Sequence, residues 1–386
     1  MNEIEIRKQA IVMYLAQYKP AEICRQLNKS RPWFYKWLSR YENDPQDNWF
    51  TDHSRRPHRI KTTVSHDMEE LVIQIRHKLE NTLYAQVGAI SIQWELSKLN
   101  IEPLPVWTID RIIKKHNLAY KKPKAAKKKN DYPDYSNAYT HQMDIVGPRY
   151  LTKNRRKIYF LNIIDTQSHC VHINPIHNKA SEGIVRAVVR FWQQFGIPDF
   201  LQMDNELAFR GSNRYPHSFG QLIRLALSQA VKPVFIPQAE PWRNGIVEKF
   251  NDTFDKKFYR TQTFNSFDEL AASVNDFETF HNFNYRYSVN KNQLPIDVHK
   301  AHLSVYLGKD FQSTERIDVV DGEVIIIRFI RSDLKLNIFG EIFLLKANLV
   351  YKYVQAVISV EAQMLKIYCD DRLEQEFPYY VPVDWL

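Results

Sequence analysis

Apolar positions over residues 3–42 recur at three- and four-residue intervals and are interrupted at Pro20 and at Asn28-Lys29-Ser30, which predicts three short helices. Pro20 suits the first turn of the second helix, where a missing N–H leaves nothing unpaired. Ser30 stands where it can cap the third helix, whose Phe34, Trp37, Leu38 and Tyr41 fall on one face. Arg31, Lys36 and Arg40 are then left pointing outward. A helix-turn-helix has this layout, with its last helix lying in the major groove. A second trihelical pattern occupies 66–118 and opens with Met68, Leu71, Val72, Ile75 and Leu79 on one face. It closes on a helix that turns Ile109, Ile112 and Ile113 inward and shows Arg111, Lys114 and Lys115.

From residue 140 the period shortens. Strands are predicted at 141–146, 158–165 and 171–176, close enough together for an antiparallel meander. A helix over 181–195 leads to a brief strand, 200–203, that ends on Asp204. A helix over 218–230, a strand over 234–236 and a helix over 244–259 carrying Glu248 follow, then another helix over 267–283. Beyond Gly308 the pattern is β throughout. Asp321-Gly322 between 316–320 and 323–328 predicts a hairpin, with further strands at 342–345, 356–360 and 364–368. A small barrel would close the edges of these strands and offer loops to DNA or a second subunit, or serve packing alone.

Charge sharpens this division of the chain. The 386 residues carry 53 Lys and Arg against 44 Asp and Glu, a net of +9. Residues 1–130 hold 24 basic and 14 acidic side chains, a net of +10, so the remainder carries −1. The stretch 111–130 contains nine basic residues, Lys127, Lys128 and Lys129 among them, and no acid. Such a block suits phosphate contact driven by counterion release, or a solvated linker. Between the helical units, Ser54-Arg55-Arg56-Pro57-His58 lies in a polar stretch. It reads as an arm placing Arg55 and Arg56 in a minor groove, or as an ordinary linker. Three distant cysteines, Cys24, Cys170 and Cys369, argue against a disulfide framework and a cysteine-based zinc site. No apolar run approaches the roughly 18 residues of a membrane span. A soluble cytoplasmic protein is expected, nucleoid-associated in a bacterium, with no membrane partner.

Asp144 falls inside a predicted strand, Asp204 at a strand end and Glu248 near the start of a helix. Strand propensity disfavours a carboxylate, so Asp144 needs a reason to be there. A hard metal would supply one, because magnesium binds one or two carboxylates and takes its other ligands from water and phosphate. Taken singly each acid reads as a solvated element end; only convergence in space makes the three a site.

Gln142-Met143-Asp144, Met203-Asp204-Asn205 with Phe209, Pro237, Asn244-Gly245 and Val247-Glu248-Lys249-Phe250-Asn251 follow one another in order. With these motifs and the 54–58 linker the chain resembles the insertion-sequence transposases with a retroviral-integrase-type catalytic core, in the branch that transposes with a single protein. The resemblance implies a multidomain chain: all-α helix-turn-helix units, a central α/β RNase H-like core and a carboxy-terminal small β-barrel-like domain. The corresponding divisions are 1–44 and 66–120 for the two helix-turn-helix units and 45–65 and 121–135 for the Arg-rich and basic linkers. The catalytic core then takes 136–300 and the β-rich domain 301–386. It further implies a DDE polynucleotidyl transferase with catalytic and metal-binding Asp144, Asp204 and Glu248, using magnesium with manganese as a substitute. Its partners would be duplex DNA, both element terminal repeats and target, and further copies of the chain on that DNA. Four departures stand out. Glu206 occupies a position where the family usually has glycine, and 44 positions separate Asp204 from Glu248, with the excess assigned to 211–217. Asp165 resembles a second-strand acid but has His169 after it in place of arginine, and Arg286-Tyr287-Ser288 replaces Arg-Pro-His.

Three functions share these features. The first is a transposase that cuts element ends and joins their 3′-hydroxyls to target DNA. The second is a catalytically silent, transposase-derived, sequence-specific DNA-binding protein. The third is a nuclease acting on hybrids, which two preceding duplex-addressing units disfavour.

Overall fold

The computed structural model of the chain describes residues 2–46, 48–52, 64–119, 132–135, 138–212, 217–311 and 317–382. They form two compact units, Met1–Ser65 and His66–Leu386. Arg55, Arg56, Lys127, Lys128 and Lys129 lie outside the described residues.

In the first unit α1 (Glu3–Leu15), α2 (Pro20–Gln26) and α3 (Arg31–Asn43) follow the punctuation of the sequence. Asn2 and Glu5 close a capping box on α1, Pro20 opens α2, and Ser30 Oγ accepts the Trp33 N–H at 3.3 Å. Ala10, Ile11, Ile23, Phe34 and Leu38 meet in the core between the helices. Arg40 departs from the outward orientation that helical spacing predicts. Its guanidinium lies 4.6 Å from the centre of the buried Trp37 ring and donates to the Thr51 carbonyl at 2.9 Å. A long aliphatic stem covering an indole, with the cation over the ring face, is the physical reason.

The second unit begins with α4 (His66–Glu80), α5 (Ala89–Lys98) and α6 (Val106–Lys115), which bury Val72, Ile75, Leu79, Ile92, Leu96, Ile109, Ile112 and Ile113. The 81–88 loop fastens these helices to the rest of the unit. Tyr84 packs edge-on against Phe277 at 5.1 Å, and its carbonyl accepts the Tyr285 hydroxyl at 2.8 Å. Gln86 both donates to the Arg286 carbonyl and accepts its N–H.

A meander of β1 (Thr140–Tyr150), β2 (Lys157–Asp165) and β3 (Val171–Ile176) leads to α7 (Ser181–Phe195), β4 (Phe200–Met203), α8 (Leu207–Arg210), α9 (Gln221–Ser228) and β5 (Lys232–Phe235). Then come α10 (Gly245–Lys257), α11 (Phe267–Asn284) and α12 (Pro295–Ala301). β4 and β5 run parallel to β1, while β2 runs antiparallel to it and to β3, giving the mixed α/β core expected. Strand alternation separates two apolar layers. Met143, Ile145, Leu161 and Ile163 face α7 and α9, whereas Ile158, Phe160, Ile164 and Val171 face α10 and α11. Beyond Asp204, Gly211, at φ +97°, meets Gly220: a Cβ on either would lie 2.8 Å from the other's backbone nitrogen.

The carboxy-terminal strands are β6 (Glu323–Phe329), β7 (Lys335–Ile338), β8 (Glu341–Leu344), β9 (Tyr353–Ser359), β10 (Met364–Cys369) and β11 (Arg372–Pro378). They do not close the separate barrel that was expected. β6 pairs in parallel with β5, and the sheet runs β11-β10-β9-β6-β5-β4-β1-β2-β3. The cause lies in the Val-Ile-Ile-Ile run at 324–327, which is apolar on both faces and suits the interior of a covered sheet. Val324 and Ile326 enter the main core, while Ile325 and Ile327 pack with Val234 and Val357 on the other face. Nor does Asp321-Gly322 turn a hairpin, since residues 317–320 are not strand. Gly322 serves close approach instead, because a Cβ there would stand 2.8 Å from Leu227 Cδ2.

Candidate active site

The site is built where β1 and β4 lie side by side in register, Gln142 opposite Gln202. The triplet Gln-Met-Asp occurs at 142–144 and again at 202–204. Two parallel copies in register send both methionines, each 0% exposed, into one core and both glutamines toward the other face. Asp144 and Asp204 are the next residues of that second face.

α10 is anchored over this face by hydrogen bonds that no single carboxylate predicts. Gln142 Oε1 accepts the N–H groups of Ile246 and Val247, both at 3.0 Å, and so caps the helix from the strand. Asn244 donates to the Met143 carbonyl at 2.9 Å, and Gln202 donates to the Arg243 carbonyl at 3.0 Å. Glu248 lies in the first turn of the helix thus fixed. One turn further, Asn251 Nδ2 donates to Asp144 Oδ2 at 2.7 Å, while Asn251 Oδ1 accepts from Asn162 at 2.8 Å. A hydrogen bond to an ionised group contributes about 1.5–3 kcal/mol, enough to hold the Asp144 carboxylate in one orientation. Reading single acids missed Gln142, Gln202, Asn244 and Asn251; the repeated Gln-Met-Asp triplet was the signal for the first two.

The three acids are half-buried and bear on one another. Burial raises Asp144 to about 6, and the negative charges of Glu248 and Glu206 push the same way. Burial also raises Asp204 to about 6, reinforced by Asp144 and Glu206 and opposed by the Glu206 N–H and by Lys179. Glu248 is raised by burial and by Asp204. Each acid is therefore within electrostatic reach of another. Among the described residues, however, no three acid, histidine or cysteine side chains are gathered closely enough to hold a metal ion as they stand. Glu206, the departure noted above, donates its N–H to Asp204 Oδ1 at 3.0 Å and pairs its carboxylate with Lys179. Asp165 stands apart, its oxygens taken by the Gln167 N–H and the Ser168 hydroxyl.

Of the basic residues singled out earlier, Arg31, Lys36, Arg111 and Lys114 are exposed. Lys36 stands 4.0 Å from Asp52. Lys115 is tied down by both oxygens of Glu69, at 2.8 and 3.0 Å. Among the described residues no helix is long and apolar enough to cross a membrane.

Residues 1–48 match the family model of the homeodomain-like domain. No curated protein matches the chain. Among solved structures it is similar to the HTLV-2 integrase catalytic core domain in complex with magnesium, at 15% identity over 44% of this chain and 99% of that one, with a TM-score of 0.33. It is similar to the simian T-cell lymphotropic virus intasome in complex with a PP2A regulatory subunit, at 14% identity over 75% and 93%, with a TM-score of 0.36. The BIV integrase catalytic core domain is similar at 14% identity over 42% and 95%, with a TM-score of 0.31.

Proposed function

We propose that the chain is a DDE transposase or integrase with an RNase H-like core, which binds the ends of a mobile DNA element, hydrolyses phosphodiester bonds there and joins the 3′-hydroxyl ends to target DNA. The observation that carries this reading is geometric: strand register sets Asp144 and Asp204 at the ends of the same Gln-Met-Asp triplet on adjacent strands, and the Gln142, Asn244 and Asn251 hydrogen bonds seat the helix of Glu248 across them. Glu69 is paired with the cations of Lys115 and His116, which hold its carboxyl below the ordinary value. At this site, by contrast, burial raises all three carboxyls and their neighbours' charges add to it, leaving hard oxygen donors with surplus negative charge. Such a donor set fits a divalent cation.

Asp144, Asp204 and Glu248 would hold magnesium, or manganese in its place. The bound ions would polarise the phosphate and lower the pKa of the attacking water or hydroxyl. The protein's own part is positioning. Asn251 keeps Asp144 aimed, Gln142 and Asn244 keep α10 seated on β1, and the apolar layer beneath α10 holds Glu248 to the same face. Residues 1–44 and 66–120 would address the terminal repeats, with Arg31, Lys36, Arg111 and Lys114 available to DNA and 121–135 supplying sequence-blind phosphate contact. Several copies would assemble on the paired ends.

A second reading, a catalytically silent DNA-binding protein, is favoured by one observation: Glu206 adds a fourth carboxylate, paired with Lys179, beside an ungathered triad. Incubating the full chain with duplexes carrying the inverted repeats that flank its gene, with magnesium or manganese, decides between the two. Strand cleavage at the repeat ends, lost in Asp144→Asn with binding retained, supports the enzyme. Tight binding without cleavage under either ion supports the silent protein.

A further inference from the structure

Arg328 lies on β6, far along the chain from the triad, yet its side chain reaches the loop that carries Asp204. Nη2 donates to Asn205 Oδ1 at 2.6 Å and Nη1 to the Ile236 carbonyl at 3.2 Å. Asn205 Nδ2 donates to the same Ile236 carbonyl at 2.6 Å, which closes a three-way clamp between β6, the end of β5 and the residue next to Asp204. On the other side of the loop, Arg210 Nε donates to the Asn205 carbonyl at 3.1 Å. Among the described residues no carboxylate sets the ionisation of Arg328; burial pulls its pKa down to about 10, Arg210 pushes the same way and Tyr132 opposes, so it stays charged at neutral pH. Among the described residues Arg328 is bonded to carbonyl and amide oxygens and to no carboxylate, so burying its charge carries a desolvation cost that no ion pair offsets. A third hydrogen bond, from Nη1, goes to the neighbouring Ile327 carbonyl at 2.9 Å, while the other two reach the Asn205 amide and the carbonyl that Asn205 also uses, and Asn205 adjoins Asp204 of the site.

We infer that Arg328 is a positioning residue that locks the Asp204–Glu206 loop from the carboxy-terminal strands, so that the reaction proposed above depends on β6 being joined to the core sheet. The inference rests on that reading for its consequence in cleavage, and on geometry alone for the clamp. The extended sheet supplies the reason: pairing β6 with β5 carries Arg328 past the end of β5, to the loop after β4.

The test uses the full chain with Arg328→Met, Arg328→Lys and Asn205→Ala. Hydrogen–deuterium exchange, without metal or DNA, should rise about tenfold over residues 204–210 in Arg328→Met and stay unchanged over β3, with a melting temperature within a few degrees of wild type. On repeat-end duplexes kcat should fall about tenfold, the magnesium concentration for half-maximal cleavage should rise, and KM for DNA should hold. Arg328→Lys, which keeps the charge and one donor, should recover part of the loss. Wild-type exchange over 204–210 in Arg328→Met, or a loss of cleavage that merely tracks the unfolded fraction, overturns the inference. If Arg328→Met does not fold, Asn205→Ala removes the other half of the clamp, and unchanged exchange there overturns the inference equally. Should the wild-type chain cleave nothing, the enzymatic reading falls while exchange still decides the clamp.

Discussion

The amino-terminal unit and the cleft of the second unit handle charge in opposite ways. Around Trp37 three cations gather, with Arg7 at 3.9 Å, Arg40 at 4.6 Å and Lys36 at 4.8 Å from the ring centre. An acid stands among them: Asp52 accepts from Arg7 at 2.8 Å, a hydrogen bond that holds its carboxyl below the ordinary value. An acid and bases thus share the charge at this ring before any ligand arrives, although residues 1–130 as a whole carry +10. At the site of the three acids negative charge is half-buried; burial raises each carboxyl, and neighbouring acids add to the rise. A settled surface can add geometry and a salt-screened field to binding. An unsettled cleft has a free-energy incentive to take in positive charge, and the chemistry should follow from it.

The largest effect should come from removing that incentive. Asp144→Asn, Asp204→Asn or Glu248→Gln should each lower end cleavage by about a thousandfold or more, the scale of losing transition-state charge stabilisation, with repeat binding within a few fold of wild type. A variant that cleaves normally under magnesium removes that residue from the mechanism. Asn251→Leu keeps all three acids but deletes the donor to Asp144, so its loss should be smaller, about ten- to a hundredfold. Because the Asn251 hydrogen bond lowers the Asp144 pKa, this variant should also move the acid limb of the pH–rate profile upward. An unmoved limb would assign Asn251 to packing alone.

How far these sites could be read in advance varied with how local their causes are. The helices α1 to α7 and the 200–203 strand are legible because periodicity and caps act within one element. The order of the three acids is legible for the same reason. The partner of β6 is not, since it lies some 90 residues upstream; only the unbroken Val-Ile-Ile-Ile run hinted at a strand covered on both faces. Arg40 was misplaced because helical spacing records direction but not the Thr51 carbonyl brought back from beyond the helix. Gln142 acts across about a hundred residues, on the N-terminus of α10, and only the strand register reveals it.

On the amino-terminal side the comparison predicts effects nearer tenfold. Arg31 and Lys36 are exposed on α3, so Arg31→Met should weaken binding to a terminal repeat relative to a scrambled duplex by about 1–3 kcal/mol if a bidentate base contact is lost. Replacing Lys127, Lys128 and Lys129 together with Gln should weaken both duplexes alike and reduce the salt slope by about 3. Titration of both duplexes at several salt concentrations separates the two. Equal loss ratios would mean that α3 reads backbone and not sequence.

The most direct gauge of the contrast is the pH dependence of stability without metal. A carboxyl whose folded pKa is raised binds its proton more tightly folded than unfolded. Asp144 and Asp204, both near 6, therefore add stability as pH falls from about 6 towards 4, and their penalty is complete above 6. Asp52, Glu69 and Glu80 are lowered, so their contribution is present above the ordinary carboxylate range and disappears only as pH falls below it. His141 and His281, held neutral by burial at about 4 and about 3, tilt against the cleft acids because the unfolded chain takes up protons below about 6.5. The raw curve thus mixes opposing slopes, and the difference between wild type and Asp144→Asn/Asp204→Asn isolates the acids. In chelator, denaturant unfolding of the double variant should show about 3–5 kcal/mol more stability than wild type at pH 7 and a much smaller gap at pH 4. Magnesium should narrow the gap at pH 7 by stabilising the wild type alone. A gap that is the same at both pH values would mean that the two acids are not held above the ordinary carboxylate range, and the contrast between site and surface would lose its physical basis.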